Sequence, residues 1–286
     1  MRIPKNPGAL YDDSHWILAD GHTVYLVYLM NGCATKPYIS ALAAPSGRNL
    51  LADCPHDHIH HHGVWWGHGD VNGVTFYLEL PNEDPGRIVH RRWAEQIRES
   101  DHVGFVEELD WVAPSGEVLI CETRRLGVTF GSLKGYTVDF ENEYVAQADI
   151  RFGTTKESGT PLIRLADAFN GRGGGVIVNS EGGRSEQATF GVSARWVDYH
   201  APVPPAYGSH GFEGLACFDH PTNPDYPNKW FTREYGPLSP REGNHFVGET
   251  ELKCDDALRL RHRLYVHEGN ETAGDVEAEF RRFATV

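Results

Sequence analysis

Apolar and polar residues alternate with a period of two over much of the chain, and β-branched and aromatic residues concentrate in the same stretches. Successive side chains on an extended strand point to opposite faces, so this period predicts half-buried strands. It places them at residues 22–29, 38–43, 117–129, 136–142, 145–152, 162–166, 175–179, 194–200, 214–219, 246–250 and 257–267. Turn formers separate the runs, as in Pro45-Ser46-Gly47, Pro114-Ser115-Gly116, Glu157-Ser158-Gly159 and Gly171-Arg172-Gly173-Gly174. Only residues 273–284 carry a helical period: Val276, Phe280 and Phe283 are spaced by four and three and fall on one helix face. The expectation is a mostly β protein of meandering antiparallel sheets stacked face to face, with a short C-terminal helix. No repeat or linker breaks the pattern, so residues 1–286 read as a single β-sandwich domain.

Composition supports this reading. The 31 glycines and 17 prolines are spread along the chain as turn punctuation. A formal net charge of −14 argues against general binding to nucleic acid or to an anionic membrane, which clustered Lys and Arg would favour. No window approaches the roughly 20 apolar residues of a membrane span, and residues 1–6 lack a hydrophobic signal core, so the expected location is cytoplasmic. The five cysteines are scattered with no Cys-x-x-Cys pair, which indicates neither a zinc ribbon nor a disulfide framework; most are expected to be buried thiols.

The chemistry concentrates between Cys54 and Tyr77, where six of the 16 histidines fall between positions 56 and 68. If residues 58–62 are extended, His58, His60 and His62 share one face and His61 takes the other. A His-x-His pair of this kind can close on one divalent metal with a further ligand such as His68, with Asp57 or Asp70 as ligand or support. The metal set would then be His58, His60 and His68, suited to Zn, Fe, Mn or Ni. Equally, clustered imidazoles can act without metal as acids and bases near neutral pH. Trp65, Trp66, Phe76 and Tyr77 would supply flat apolar faces for a small molecule. The plain alternative is a set of histidines making structural hydrogen bonds.

Other pieces add candidates. Lys156 and Glu157 precede the strand holding Arg164, and such a group can orient hydroxyls or hold a carboxylate, or simply form a solvated turn. Asp219-His220-Pro221-Thr222-Asn223-Pro224 leads into a proline-rich loop reaching Trp230; His220 is either an acid/base or a ligand, while Asp219 and Asn223 equally fit as turn caps. Trp196 and Asp198 read as a core Trp beside a turn-anchoring Asp, and His267-Glu268 as a strand end or a base. No dinucleotide fingerprint, Walker loop, Gly-x-Ser-x-Gly or His-Glu-x-x-His is present, so no nucleotide cofactor is signalled.

The string Asp57-His58-x-His60-His61-x-Gly63-x-Trp65-x-x-His68-x-x-Val71-Asn72-Gly73-x-x-Phe76-Tyr77 resembles the signature of the bacterial PmoA-like family. Further pieces match in order: Thr155 to Gly159 with Ile163-Arg164, Asn179 to Gly182, Ala194 to Tyr199, Gly214 to Pro224 with Pro227 and Trp230, and Arg261 to Gly269. The similarity spans roughly residues 20–285. Two departures stand out: Ile59 replaces a Pro, and His62 replaces an Arg, which removes a fixed bidentate donor.

This resemblance implies a galactose-mutarotase-like antiparallel β-supersandwich and a sugar or glycoside as the small-molecule partner. The resulting expectation is a carbohydrate-active enzyme performing epimerisation, elimination or hydrolysis by acid/base chemistry. Its catalytic candidates are His58, His60, His61, His68, Glu157 and His220; its substrate-binding candidates are Trp65, Trp66, Asn72, Lys156, Arg164, Asn223 and Trp230. The alternatives are a His-ligated divalent-metal enzyme (a non-haem oxygenase or a hydrolase) and a non-catalytic sugar-binding module.

Overall fold

The computed structural model describes residues 8–12, 14–30, 34–79, 84–207, 211–240 and 248–286. Two eight-stranded antiparallel sheets stack on each other. The first runs β1(Gly8–Tyr11), β2(His15–Ala19), β3(Val24–Leu29), β4(Tyr38–Leu42), β5(Val64–His68), β11(Ser158–Arg164), β16(Pro237–Pro240), β15(Trp230–Thr232). The second runs β12(Val176–Asn179), β13(Trp196–Pro202), β14(Phe212–Asp219), β18(Ala257–Glu268), β9(Gly135–Ala146), β8(Val118–Ser132), β7(His102–Val112), β6(Arg87–Arg98). A small ribbon pairs β10(Ile150–Phe152) with β17(Thr250–Leu252).

Alternation decides which side chains meet between the sheets. Trp16, Tyr28, Val64, Trp66 and Ile163 from the first sheet pack with Phe105, Leu126, Phe140, Leu215 and Val266 from the second. Removing this apolar surface from water is the main force holding the sheets together. Inside the same sandwich, Arg124 lies 3.9 Å over the Trp66 ring and pairs with Glu122, with both side chains fully buried. On the outer face of the second sheet, helix α2(Val276–Phe283) lays Val276, Phe280 and Phe283 against Phe218 and Tyr265. The helix fulfils the spacing read from the sequence. The only other α-helix among the described residues is a single turn, α1(Glu186–Thr189).

Several strand expectations shift. The run 145–152 divides because β9 continues to Ala146 and the chain resumes as β10 only at Ile150. Residues 246 and 247 lie outside the described residues, and the nearby strand is β17. The alternation did not mark β1, β2, β5, β6, β7, β15 or β16. In β6 the reason is visible: it is an edge strand, mostly exposed, so little apolar alternation is required of it. The expectation of mostly buried thiols is corrected among the described residues: Cys54 and Cys254 are exposed, Cys121 is half-buried and Cys217 is buried, while Cys33 lies outside the described residues. None of the described helices is long and apolar enough to cross a membrane.

Candidate functional site

Strands β5 and β11 sit side by side in the first sheet, with Leu162 opposite Trp65 and Ile163 opposite Val64. Val64, Trp66 and Ile163 point into the sandwich. Trp65 and Leu162 therefore point outward, where they join Tyr38 and Tyr77 in a separate buried cluster. Arg164, two residues from Leu162, shares their face.

The histidine segment folds over this outer face as turns instead of a strand. His58 N–H donates to Pro55 O (3.0 Å), His61 N–H to His58 O (2.9 Å), and Cys54 N–H to His61 O (2.9 Å). The segment can enter β5 so close to β4 because residue 63 is glycine: a Cβ there would lie 2.3 Å from Ile39 O. The expected sorting of His58, His60 and His62 against His61 is thereby overturned. His58, His60 and His61 gather, and His62 turns to a different neighbourhood.

Within the first group, Arg164 is buried and donates from Nη2 to both Asp57 oxygens at 2.9 Å. Asp57 Oδ2 lies 3.2 Å from His58 Nδ1. The His58 ring is stacked between His61 (4.5 Å) and Tyr235 (5.2 Å, 11° between planes). His60 meets His61 edge-on at 4.8 Å, and the Tyr77 hydroxyl is 3.3 Å from His61 Nε2. Arg164 also lies 4.8 Å from the centre of the Tyr235 ring.

The charges follow from this packing. Burial alone would raise the Asp57 carboxyl, but the Arg164 bonds and charge, with His58, bring it down to about 2. Burial, then the neighbouring His60, His58 and Arg164, press the His61 imidazole down to about 2, so it is neutral at ordinary pH. His60 is lowered too, mainly by burial and then by His58 and Lys36, while Glu79 and Glu157 oppose the shift.

A second group adjoins across Trp65. His62 stacks on Tyr38 at 4.2 Å, its Nδ1 is 2.8 Å from Asp53 Oδ1, and its Nε2 is 3.1 Å from Glu79 Oε2. Burial disfavours charge on His62, but the bonds to Asp53 and Glu79 hold its pKa above the ordinary value. Glu79 is in close contact with the buried Lys36 and is held well below the usual carboxylate range despite its burial. Cys54 Sγ is 3.6 Å from Asp53 Oδ1 and 3.7 Å from His62 Nδ1.

The remaining candidates lie elsewhere. His68 is on the sandwich side of β5, against Phe152 at 5.2 Å and beside a cavity of ≈ 50 Å³ lined by Trp111, Tyr144 and Leu260. Strand alternation thus keeps it from joining His58 and His60 around one metal. Trp66 faces the core for the same reason. Trp230 is also a core residue, donating from Nε1 to Ala194 O at 2.7 Å. His220 bonds Thr222 Oγ1 at 2.7 Å and packs on Phe283 of α2, on the second sheet's outer side, so it does not meet the early histidines. Asn223 locks its own loop, with Nδ2 donating to Asp219 Oδ1 and Arg261 O, and Oδ1 accepting from Arg261 N. Asn72 has φ 52 and pins a tight turn through Asp149 O and Arg151 N. Lys156 is a solvated side chain 3.7 Å from Glu157. Glu157 accepts a bond from Thr155 at 2.9 Å and, unlike the others, lies near enough to the histidine turn for its charge to act on His60.

Sequence reasoning passed over Lys36, Tyr38, Asp53, Glu79 and Tyr235, and read Cys54 only as a thiol. None carries a motif of its own; each is recruited by register or turn geometry. It also missed the buried group on the second sheet, where Asp198 bridges His200 (2.6 Å) and His267 (2.7 Å). Here Trp196, Asp198 and His200 alternate onto one face of β13, so the turn-anchoring role expected for Asp198 gives way to this bridge.

Residues 17–281 match the family of unknown function DUF6807, and the chain belongs to that family. The family's designation does not refer to PmoA. No curated protein matches the sequence. Among solved structures, the galactose 1-epimerase of Lactobacillus acidophilus NCFM is similar at 9% identity and a TM-score of 0.43, over 94% of this chain and 100% of that one. A galactose mutarotase related enzyme from Lactobacillus acidophilus follows at 9% identity and 0.32, over 93% and 98%. The 4-alpha-glucanotransferase of Thermococcus litoralis follows at 11% identity and 0.35, over 94% of this chain and 40% of that one. At these scores the likenesses carry no weight for the chemistry, which rests on the side chains themselves.

Proposed function

We propose that this protein is an enzyme that moves a proton on a small polyhydroxylated molecule, a sugar or oxidised glycoside, on the outer face of the first sheet. The observation that carries this reading is the relay Arg164–Asp57–His58. A buried guanidinium fixes the carboxylate through two bonds, and the carboxylate lies against Nδ1 of an imidazole that is itself one-third exposed. A carboxylate beside one ring nitrogen favours one orientation of the imidazole, while Nε2 is left to exchange a proton with a ligand.

The surroundings suit such a ligand. The half-buried Tyr235 offers its ring to the C–H side of a sugar, with Tyr77 and Trp65 buried behind the histidines. The buried Nε–H of Arg164 and Nε1–H of Trp65 have no hydrogen-bond partner among the described residues, and ligand oxygens would satisfy them. In the reaction class favoured here, His58 Nε2 takes a proton from a hydroxyl or from carbon beside a carbonyl. When the proton comes from carbon, the C–H electron pair passes into an enolate. The proton is then returned to the opposite face of that carbon once the enolate has turned in the site (epimerisation), or goes to the β-oxygen as its C–O bond breaks (elimination). When it comes from an anomeric hydroxyl, the ring C–O bond breaks and the proton goes to the ring oxygen. The Tyr77 hydroxyl is a hydrogen-bonding group for the oxygen on which charge develops, and the neutral His61, between Arg164 Nη1 (3.4 Å) and that hydroxyl (3.3 Å), positions it.

The test is a screen of aldoses and keto-glycosides for epimerisation and elimination, followed by His58→Ala and Asp57→Asn on the substrate found. His58→Ala should lower turnover by about 100-fold or more with the circular dichroism spectrum unchanged. A loss under a few-fold in folded protein would overturn the assignment.

A further inference from the structure

Asp53, Cys54 and His62 lie beyond Trp65 from the proton relay, and they share none of its residues. Their three donor atoms form a nearly closed triangle: Sγ to Nδ1 3.7 Å, Sγ to Oδ1 3.6 Å, and Nδ1 to Oδ1 2.8 Å. A tetrahedral zinc ion with usual bond lengths sets its sulfur about 3.5 Å from a nitrogen or oxygen ligand, and the latter two about 3.3 Å apart. Two edges of the triangle already have these lengths. The third needs to open by about half an ångström, replacing the direct contact between His62 and Asp53.

We propose that Asp53, Cys54 and His62 form a binding site for a zinc-class divalent cation, with the fourth position open to solvent or to a small ligand. The donor set of one thiolate, one imidazole and one carboxylate suits a borderline-soft metal and disfavours magnesium or calcium.

The supporting contacts are those a metal site requires. A ligating imidazole is commonly fixed by a carboxylate on its other nitrogen; here Glu79 is 3.1 Å from His62 Nε2 and is itself paired with the buried Lys36. The Asp53 oxygen not facing His62 accepts from the Tyr38 hydroxyl at 3.1 Å. Tyr38 also stacks on the His62 ring at 4.2 Å, which fixes its plane. Once Cys54 is a thiolate, it joins Asp53 and Glu79 against Lys36, so negative charge exceeds positive by the amount a dication neutralises. Cys54 and Asp53 are exposed, giving the ion a path from solvent.

The test uses untagged full-length protein, stripped with chelator and titrated with Co²⁺ and then Zn²⁺. The expected result is one equivalent of cobalt, an absorption band for thiolate-to-cobalt charge transfer, and its loss on adding zinc. Cys54→Ser should remove the band and Asp53→Asn should weaken binding by at least 10-fold, whereas Cys254→Ser and Cys121→Ser should leave both unchanged. Zinc should raise the melting temperature of the wild type and not that of Cys54→Ser. No charge-transfer band in the wild type, or a band that survives Cys54→Ser, would overturn the site. These readouts do not depend on turnover, so the metal site and the His58 relay stand or fall separately.

Discussion

Arg164 holds both carboxylate oxygens of Asp57 at 2.9 Å, although 107 residues separate them in the chain. One partner ends β11 and the other lies in the histidine turn, so this pair fastens the turn to the sheet. Arg164 is 2% exposed. Removing Asp57 would leave that guanidinium buried without a carboxylate, beside the Tyr235 ring and 3.4 Å from His61 Nδ1. Breaking a fully buried pair costs about 3–5 kcal/mol. The Asp57 side chain keeps 28% exposure, so Asp57→Ala should cost less, about 2 kcal/mol, in urea unfolding. An unchanged midpoint would show that the pair does not anchor the turn.

The same pair makes the protein sensitive to acid. Asp57 titrates at about 2 when folded against 3.8 as its ordinary value. A carboxyl with a lowered folded value adds stability above its unfolded value and loses it as pH falls through the folded one. Unfolding midpoints should therefore lose Asp57's contribution between about pH 4 and pH 2. Asp57→Asn should flatten that part of the profile; an equally steep profile would assign the acid loss to other groups.

A larger stability effect is expected at Asp198, which is fully buried between His200 and His267. Burial opposes its charge, but the two imidazoles hold the carboxyl below its usual range. Asp198→Ala leaves both rings buried without their common acceptor and should destabilise by about 3–5 kcal/mol. Calorimetric melting checks this, and a loss under about 1 kcal/mol would contradict the bridge.

Trp230 offers a direct contrast with the relay. It is fully buried among core residues, so Trp230→Ala should lower stability by about 3–5 kcal/mol, measured by denaturant unfolding. Turnover per folded molecule should stay near wild type. The reverse pattern, intact stability with lost ligand binding, would return Trp230 to the binding surface.

Much of the architecture was legible locally. Period-two alternation marked most long strands, and the four-and-three spacing of Val276, Phe280 and Phe283 marked α2, because these patterns depend only on backbone geometry. The histidine segment was also visible as the place where chemistry concentrates. Alternation failed where the constraint relaxes or changes: β6 is an exposed edge, and β5 is buried along its whole length, so neither displays a contrast between faces.

The sequence by itself determined a mostly β chain, a C-terminal amphipathic helix and a cluster of imidazoles between positions 56 and 68. It also determined that Trp65 and Trp66 must point apart if extended. Tertiary structure alone decided that Trp66 faces the second sheet and Trp65 the outer surface, because the buried face depends on where the partner sheet packs. It decided likewise that His68 leaves the cluster, that Arg164 reaches Asp57, and that Asp53 and Cys54 meet His62. Those meetings arise from the strand register and from the Pro55–His61 turns. Nothing in the spacing of isolated residues encodes them: Arg164 and Asp57 come from segments 107 residues apart, and Asp53, Cys54 and His62, though close in the chain, meet only because the residues between them turn.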